Sequence, residues 1–461
     1  MPRLHSTIHA ALLLSALRLL DACGGDSTSS GVLPVTPIAP VPPVAVTGVN
    51  KLNHIVVIYL ENRSFDNLYG EFGGARGIAD AQSAPRQLDA SGAVYPTLPQ
   101  PADSPAPLGL ANAPYNLDAF ASISTPTRGL VHQFYEEQQQ VDGGRMDHFA
   151  SVSDGLGLTM GYYRTAGLPL ATEAAAYTLC DAFFHAAYGG SLLNHIWAIA
   201  AATPVFPNAP ATQVVTLDAA GNVVKNGAVT PDGYVVNTLQ TANSPHAPNS
   251  DAASLVPSQT IPTIGDRLSD KNVDWAWYSE GWTDALAGRA SGAFAFHHQP
   301  FVYFTKYADG TAARAAHLKD VTAFDTSAVA GTLPAVSFIE PLESHTEHPG
   351  NSIIAGETEV LRIINEVRNG PNWRDTAIII TYDENGGFWD HVAPPAGDRW
   401  GPGTRVPTMV ISPFARRNYV DHTTYDTTSI LALIETRWGL ASLSTRDAAA
   451  SNMTAAFDFT Q

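Results

Sequence analysis

His54-Ile55-Val56-Val57-Ile58-Tyr59-Leu60 is a run with almost no polar side chain. Its β-branched content and continuous apolarity predict a strand buried on both faces, the environment of a largely parallel sheet. Directly behind it stand Glu61-Asn62-Arg63-Ser64-Phe65-Asp66-Asn67. The same sequence of apolar strand and polar edge recurs at Thr376-Ala377-Ile378-Ile379-Ile380-Thr381-Tyr382, followed by Asp383-Glu384-Asn385-Gly386-Gly387-Phe388-Trp389-Asp390-His391. Residues 335–339 and 406–412 predict two further strands. Between them, residues 356–369 carry Val360, Ile363, Ile364 and Val367 at the spacing of one helix face, and Gly370-Pro371 ends that helix. Residues 429–440 predict another, with Ile430, Leu431, Leu433 and Ile434 as its apolar content and Gly439 near its end. Strands alternating with helices argue an α/β sheet covered on both faces. In such sheets ligands gather beyond the carboxyl ends of the strands.

Composition narrows the classes. The chain has 461 residues, 43 Asp+Glu against 25 Lys+Arg, and a formal net charge of -18. Without a basic surplus it is a poor ligand for phosphate backbones, so nucleic acid is not expected as a partner. A hydrophobic fraction of 45% with 15% charged residues excludes a disordered polyelectrolyte. The 2 cysteines, Cys23 and Cys180, exclude a disulfide framework and a cysteine zinc site. Cys180 lies in an apolar stretch, 174–184, that reads as helical, and it is expected to be a buried thiol. The 37 Gly and 33 Pro imply many turns. The Pro/Ala-rich residues 88–118 and residues 205–260, with turn signals at Gly221-Asn222 and Asp232-Gly233, read as surface insertions.

Residues 1–22 read as an export leader, with a short apolar core at Ala10-Ala11-Leu12-Leu13-Leu14-Ser15-Ala16-Leu17. Leu20-Asp21-Ala22-Cys23 resembles the bacterial lipoprotein cleavage box, which implies acylation of Cys23 and membrane contact through that anchor. Residues 23–50 are Gly/Ser- and then Pro-rich, the composition of a tether. The expected organisation is therefore leader, tether, and a catalytic domain over 51–461. The expected location is the cell envelope or periplasm.

Glu61, Asp383 and Glu384 stand just after two buried strands. Three carboxylates there repel one another unless a cation or proton compensates, and carboxylates with the Asn62 amide oxygen suit a hard divalent ion. A third segment, Tyr188-Gly189-Gly190-Ser191-Leu192-Leu193-Asn194-His195, places Ser191 at the start of an apolar helix. A Ser there is often a helix cap. The same position binds phosphate and favours an alkoxide through the free N–H groups of the first turn. Leu193 replaces the second glycine of the Gly-x-Ser-x-Gly elbow, which argues against an esterase of the α/β-hydrolase type.

The segments 51–70, 189–195 and 376–395 closely resemble the bacterial phosphoesterases, the family of acid phosphatases and phospholipases C within the alkaline-phosphatase-like superfamily. Gly144-Arg145-Met146-Asp147-His148-Phe149, His297-His298-Gln299-Pro300-Phe301, Glu347-His348-Pro349-Gly350 and Asp421-His422 extend the resemblance over most of 51–461. It implies a three-layer α/β/α sandwich with loop and small β insertions. It implies Glu61, Asn62, Ser191, Asp383 and Glu384 as ligands of a divalent metal: calcium, magnesium, manganese or zinc. It implies Ser191 as nucleophile, and His132, His297, His298 and His348 as the imidazoles that bind phosphate and handle protons. Arg63, Asn194, Asp390 and His391 are implied as substrate contacts. His54 and His195 read as structural.

The phospholipase C branch usually has Thr followed by Asp-Pro-Asn-Arg where this chain has Ser191-Leu192-Leu193-Asn194-His195. That difference points to phosphate monoester hydrolysis through a phosphoserine, with an acid optimum if histidines must be protonated. The alternatives are phospholipase C-type cleavage of phospholipid diesters, and a non-catalytic envelope protein that keeps the fold.

Overall fold

A computed structural model describes residues 48–219 and 221–461. The leader, Cys23 and the tether up to residue 47 lie outside the described residues. The end of the tether stretch differs from expectation, because Gly48–Lys51 forms a 3-10 turn that leads into the first strand.

Eight strands form one sheet. In chain order they are β1 (His54–Leu60), β2 (Thr178–Cys180), β3 (Trp275–Ser279), β4 (Leu318–Lys319), β5 (Val336–Glu340), β6 (Thr376–Tyr382), β7 (Thr408–Ile411) and β8 (Tyr419–Asp421). Their order across the sheet is β8-β2-β7-β6-β1-β5-β3-β4. Neighbours run parallel except around β7, which is antiparallel to both β6 and β2. β1 and β6 have the bounds that their apolar runs predict, and β5 and β7 differ from prediction by one or two residues at an end. Every residue of β1 after His54 and every residue of β6 is buried. Successive side chains of a strand point to opposite faces, so both faces of the sheet centre are covered.

Register is what positions the chemistry. Leu60 pairs with Tyr382, so the residues that follow, Glu61 and Asp383, leave the sheet at the same level. On the other side of β1, Ile58 pairs with Ile339, which sets Glu340 beside Tyr59, two residues before Glu61.

Six helices matter here: α1 (Phe65–Tyr69), α2 (Phe134–Val141), α3 (Ser191–Ala200), α4 (Val321–Ala330), α5 (Ile353–Asn369) and α6 (Thr427–Trp438). α5 buries Val360, Ile363, Ile364 and Val367, the predicted face, and packs on α4. α6 packs on α3. Both helices start earlier than their apolar runs suggest. α6 begins at a capping box, in which Asp426 and Ser429 satisfy each other's backbone N–H groups.

One expectation is corrected. Cys180 is fully buried, but in β2 rather than in a helix. The alanine-rich helix there ends at Ala176, and Thr178–Cys180 is drawn into the sheet between β7 and β8. The two insertions are largely irregular. Residues 205–260 contain a small hairpin, Thr216–Leu217 with Val223–Lys225, that turns at Gly221 with φ 88°.

Candidate active site

The carboxyl ends of β1 and β6 are stitched together by their own backbone. Asp383 N–H donates to Leu60 O at 2.8 Å, and Asn62 N–H donates to Asp383 Oδ1 at 2.8 Å. Asn62 reaches that position with φ 63°, a left-handed conformation that Asn tolerates better than most residues. Gly386 follows with φ 61°, and a Cβ there would meet Asn62 O at 2.2 Å. Gly386 is thus required by the close approach of the two strand ends, and Gly387, at φ 74°, by the Val131 carbonyl oxygen, which a Cβ there would meet at 2.5 Å. The carboxylates are held by N–H groups: Glu384 N–H donates to Asp383 Oδ1 and Gly386 N–H to Glu384 Oε2, each at 2.6 Å.

Two braces place the nucleophile. The buried Glu137 of α2 accepts from Gly189 N–H at 2.6 Å, from Thr404 N–H and Oγ1 at 3.0 and 2.8 Å, and from His185 Nε2 at 2.8 Å. Asn194 exchanges two hydrogen bonds with Ala187, its Oδ1 accepting at 3.0 Å and its Nδ2 donating at 2.9 Å. Gly189, at φ 88°, makes the turn between them. Ser191 is left as the first residue of α3 and donates its hydroxyl proton to Glu61 Oε2 at 3.0 Å.

The imidazoles gather around this point. His132 Nε2 lies 3.2 Å from Asn62 Nδ2 and 3.8 Å from Glu384 Oε1, and its ring centre is 6.4 Å from that of His348. His298 Nε2 lies 3.2 Å from Glu61 Oε1, and His297 sits 4.8 Å from His298 between ring centres. Burial pushes all four below the usual imidazole range, most strongly His297, and neighbouring rings add to the effect at His297, His298 and His348. His348 is held at about 4. Burial thus favours the neutral form of these rings in the free protein, and a step that needs one of them protonated is pushed to lower pH.

The donor set fits a divalent ion. Glu61 Oε1, Asn62 Oδ1, Asp383 Oδ2 and Glu384 Oε1 are buried oxygens with no hydrogen-bond partner. Burial and the neighbouring Glu340 push Glu61 up to about 8, against the pull of His195 and Ser191. Burial, with mutual repulsion, also raises Asp383 and Glu384 well above the carboxylate range. Buried oxygens left unpartnered, on carboxylates that repel one another, are the surroundings a hard cation needs. Beside Ser191, a cleft of about 580 Å³ is lined by His132, Gln133, Gly190, Asn226, Asn237 and Thr238, among others. The insertion at 205–260 thus supplies one wall of the approach to the site.

The four expected substrate contacts have other partners. The Arg63 guanidinium is buried, donating to Glu347 O and Asn67 Oδ1 and lying over the Phe388 ring. Asn194 braces the turn described above. Asp390 pairs with the fully buried Arg405, and His391 Nδ1 lies 2.6 Å from Asp66 Oδ2. Arg405 also reaches Asp66, so this cluster ties the loop after β6 to α1. Three residues of these networks go beyond what the sequence motifs point to. Arg405 and Glu340 belong to none of those motifs, and His195, which reads as structural, faces Glu61 and Glu340 with its Nε2. Glu340 has a usable signal, because it directly follows the predicted strand 335–339. His195 hides at i+4 of an apolar helix, where a packed ring is the ordinary reading.

The family model described as "Phosphoesterase family" matches residues 52–441. A "Non-hemolytic phospholipase C" of Pseudomonas aeruginosa is 25% identical, over 88% of this chain and 57% of its own length. A "Phospholipase C B" of Mycobacterium tuberculosis is 27% identical, over 88% of this chain and 78% of its own. The chain thus spans little more than half the length of the Pseudomonas relative. A solved structure of a protein in the alkaline phosphatase superfamily from Vibrio parahaemolyticus aligns with TM-score 0.34 and 11% identity, over 72% of each chain.

Proposed function

The chain belongs to the phosphoesterase family, and from that premise we propose that it hydrolyses phosphate esters at Ser191, with phospholipase C-type diesters as the preferred substrates. The observation that carries the hydrolytic reading is the Ser191 hydroxyl, held 3.0 Å from Glu61 Oε2 at the first turn of α3 and among buried unpartnered oxygens. The diester preference draws its support from relatives described as phospholipases C. They favour it over the monoester reading suggested by Ser191 and the His297-His298 segment. Among the described residues no helix is long and apolar enough to cross a membrane. Export, with acylation at Cys23, is supported by the leader and the cleavage-box pattern, and it would bring the catalytic domain to a lipid surface.

In the mechanism, Glu61, Asn62, Asp383 and Glu384 would hold a divalent ion with Ser191 Oγ beside them. Such an ion supplies positive charge that favours a serine alkoxide and offsets charge on the phosphoryl oxygens. Glu61 Oε2 accepts the proton of Ser191 Oγ. Oγ attacks phosphorus, forming a phosphoserine and releasing the leaving alkoxide. The first-turn N–H groups of α3 add a positive potential at the attacked centre. The imidazoles of His132, His297, His298 and His348 surround the site, and one of them, protonated as the anionic ester binds beside it, gives the alkoxide its proton. Water then attacks the phosphoserine, losing its proton to that imidazole, and the departing Ser191 Oγ takes its own proton back from Glu61.

The test compares p-nitrophenyl phosphorylcholine with p-nitrophenyl phosphate at equal concentration. A higher kcat/KM for the choline ester is expected. A higher value for the monoester would reinstate the phosphatase reading, and no turnover of either would remove the hydrolytic one.

A further inference from the structure

The two oxygens of Glu61 face different neighbours. Oε2 accepts from Ser191, while Oε1 lies 3.2 Å from His298 Nε2 and 3.6 Å from His195 Nε2. Glu340 closes the group, with Oε2 at 3.3 Å from His195 Nε2 and Oε1 at 3.5 Å from His298 Nδ1. One ligand atom from each of the four residues lies within 4.8 Å of the others. All four side chains are between 0% and 3% exposed.

Protonation makes the group unusual. His195 Nδ1 is 2.8 Å from the carbonyl oxygen of Ser191, which can only accept. Nδ1 therefore carries the hydrogen, and Nε2 of the neutral ring directs a lone pair at two carboxylates. His298 Nδ1 faces two acceptors, Pro341 O and Glu340 Oε1, so its hydrogen belongs on Nδ1 as well. Its Nε2 then directs a lone pair at Glu61. His195 Nε2, His298 Nε2, Glu61 Oε1 and both oxygens of Glu340 have no hydrogen-bond partner. With the carboxylates ionised and the rings neutral, these are acceptors facing acceptors in a dry enclosure, and a proton or a bound cation reverses the sign of every one of these contacts.

We propose that Glu61, His195, His298 and Glu340 form a second cation site, suited to a zinc-like ion. Metal-bound histidines commonly donate their far ring N–H to a backbone carbonyl, as His195 does here. Two imidazole nitrogens and two carboxylates make a borderline set that favours zinc, iron(II) or manganese over calcium or magnesium. The spacing agrees with that choice. Ligands about 2.0 Å from a tetrahedral ion stand about 3.3 Å apart, and the three Nε2–carboxylate separations run from 3.2 to 3.6 Å. The group of Asn62, Asp383 and Glu384 is richer in oxygen, with one imidazole beside it, His132 Nε2 at 3.8 Å from Glu384 Oε1, and suits a harder ion. Glu61 touches both groups, so the two ions would share its carboxylate. This second site goes beyond the hydrolytic reading and needs no substrate to be identified.

The test is titration of the chelator-stripped full chain with Co²⁺, followed by visible absorption and by the number of ions bound. Wild type is expected to take two equivalents, one with the intense bands of imidazole-ligated tetrahedral cobalt. His195→Gln and Glu340→Gln should each lose those bands and retain one equivalent. Asp383→Asn should keep the bands and lose the other equivalent. Wild type is decisive without any variant: weak octahedral bands alone would overturn the proposal and leave protons as the charges that fill the enclosure. Intense bands from a single equivalent would uphold this site and instead count against the oxygen-rich one. Neither result depends on turnover, so a failure of the hydrolytic reading would be recognised separately, by the ester assays.

Discussion

Ser191 Oγ lies 3.0 Å from Glu61 Oε2, joining the first residue of α3 to the residue that directly follows the central strand. The contact exists because α3 and β1 are fixed independently, one by Glu137 and Asn194 and the other by its place between β5 and β6. Ser191→Ala removes one oxygen from an otherwise unchanged frame. Turnover of p-nitrophenyl phosphorylcholine should fall by about 10³-fold or more, because a nucleophile and its base act as a unit. Circular dichroism should be unchanged. A variant with near-normal kcat would sink the nucleophile assignment.

Glu137→Gln tests the brace behind that serine. Burial alone would raise the Glu137 carboxyl, but His185 and the N–H groups of Gly189 and Thr404 outweigh it and hold it below its ordinary value. Burial would lower His185, and Glu137 outweighs that in turn, so the imidazole is raised. Both ring nitrogens of His185 face acceptors, Ala187 O and Glu137, as an imidazolium requires. The carboxylate's contribution is present above its unfolded pKa of about 4.3 and fades as pH falls through the lower folded value. The imidazolium's is present below about 6.5 and fades as pH rises through the higher folded value. The variant should therefore lose about 3 kcal/mol, most between pH 4.5 and 6.5. Thermal denaturation across pH measures this, and a loss that does not vary with pH would refute the ion pair. Because Gly189 is released as well, kcat should fall alongside stability.

Much of this was legible in the sequence for a definable reason. A strand buried on both faces has no polar positions to confuse the pattern, so β1 and β6 are readable to the residue. Their register then makes Glu61 and Asp383 neighbours. The short strands at the sheet margins, β2, β4 and β8, carry too few residues for a pattern, and β2 follows an alanine-rich helix. The bracing role of Asp390 is set by a partner distant in sequence, since it meets Asp66 across 324 residues, whereas Asn194 braces the irregular turn just before its own helix. Motif resemblance locates such residues near a site but does not say whether they face the ligand or hold its frame.

Cys180 offers a simple check on β2. It is fully buried, and burial with the nearby Asp421 and Asp181 pushes its thiol well above the ordinary range. A neutral, inaccessible thiol is a poor nucleophile. In the folded protein Cys180 should not react measurably with an aromatic disulfide reagent over minutes, and in denaturant it should react fully. Rapid reaction of the native thiol would place that residue at the surface and contradict the strand pairing.

Metal removal should change stability in a way that depends on pH. Without an ion, Glu61 holds its proton up to about 8, and Asp383 and Glu384 are also raised. A folded pKa above the unfolded one favours the folded state below the unfolded value, about 4, and that contribution is lost as pH rises through the folded pKa. The chelated protein should therefore become progressively less stable from about pH 4.5 to 8. The loaded protein should not follow it, because its cation compensates the deprotonated carboxylates. At free ion a hundredfold above Kd the gain is about 2.7 kcal/mol, and it should grow towards pH 8 as protons cease to compete. Paired thermal melts with and without chelator at pH 5 and pH 8 give the comparison. An equal gap at both pH values would mean that the buried carboxylates are not where the ion binds. Hydrolysis should vanish with the chelator and return on adding a divalent ion.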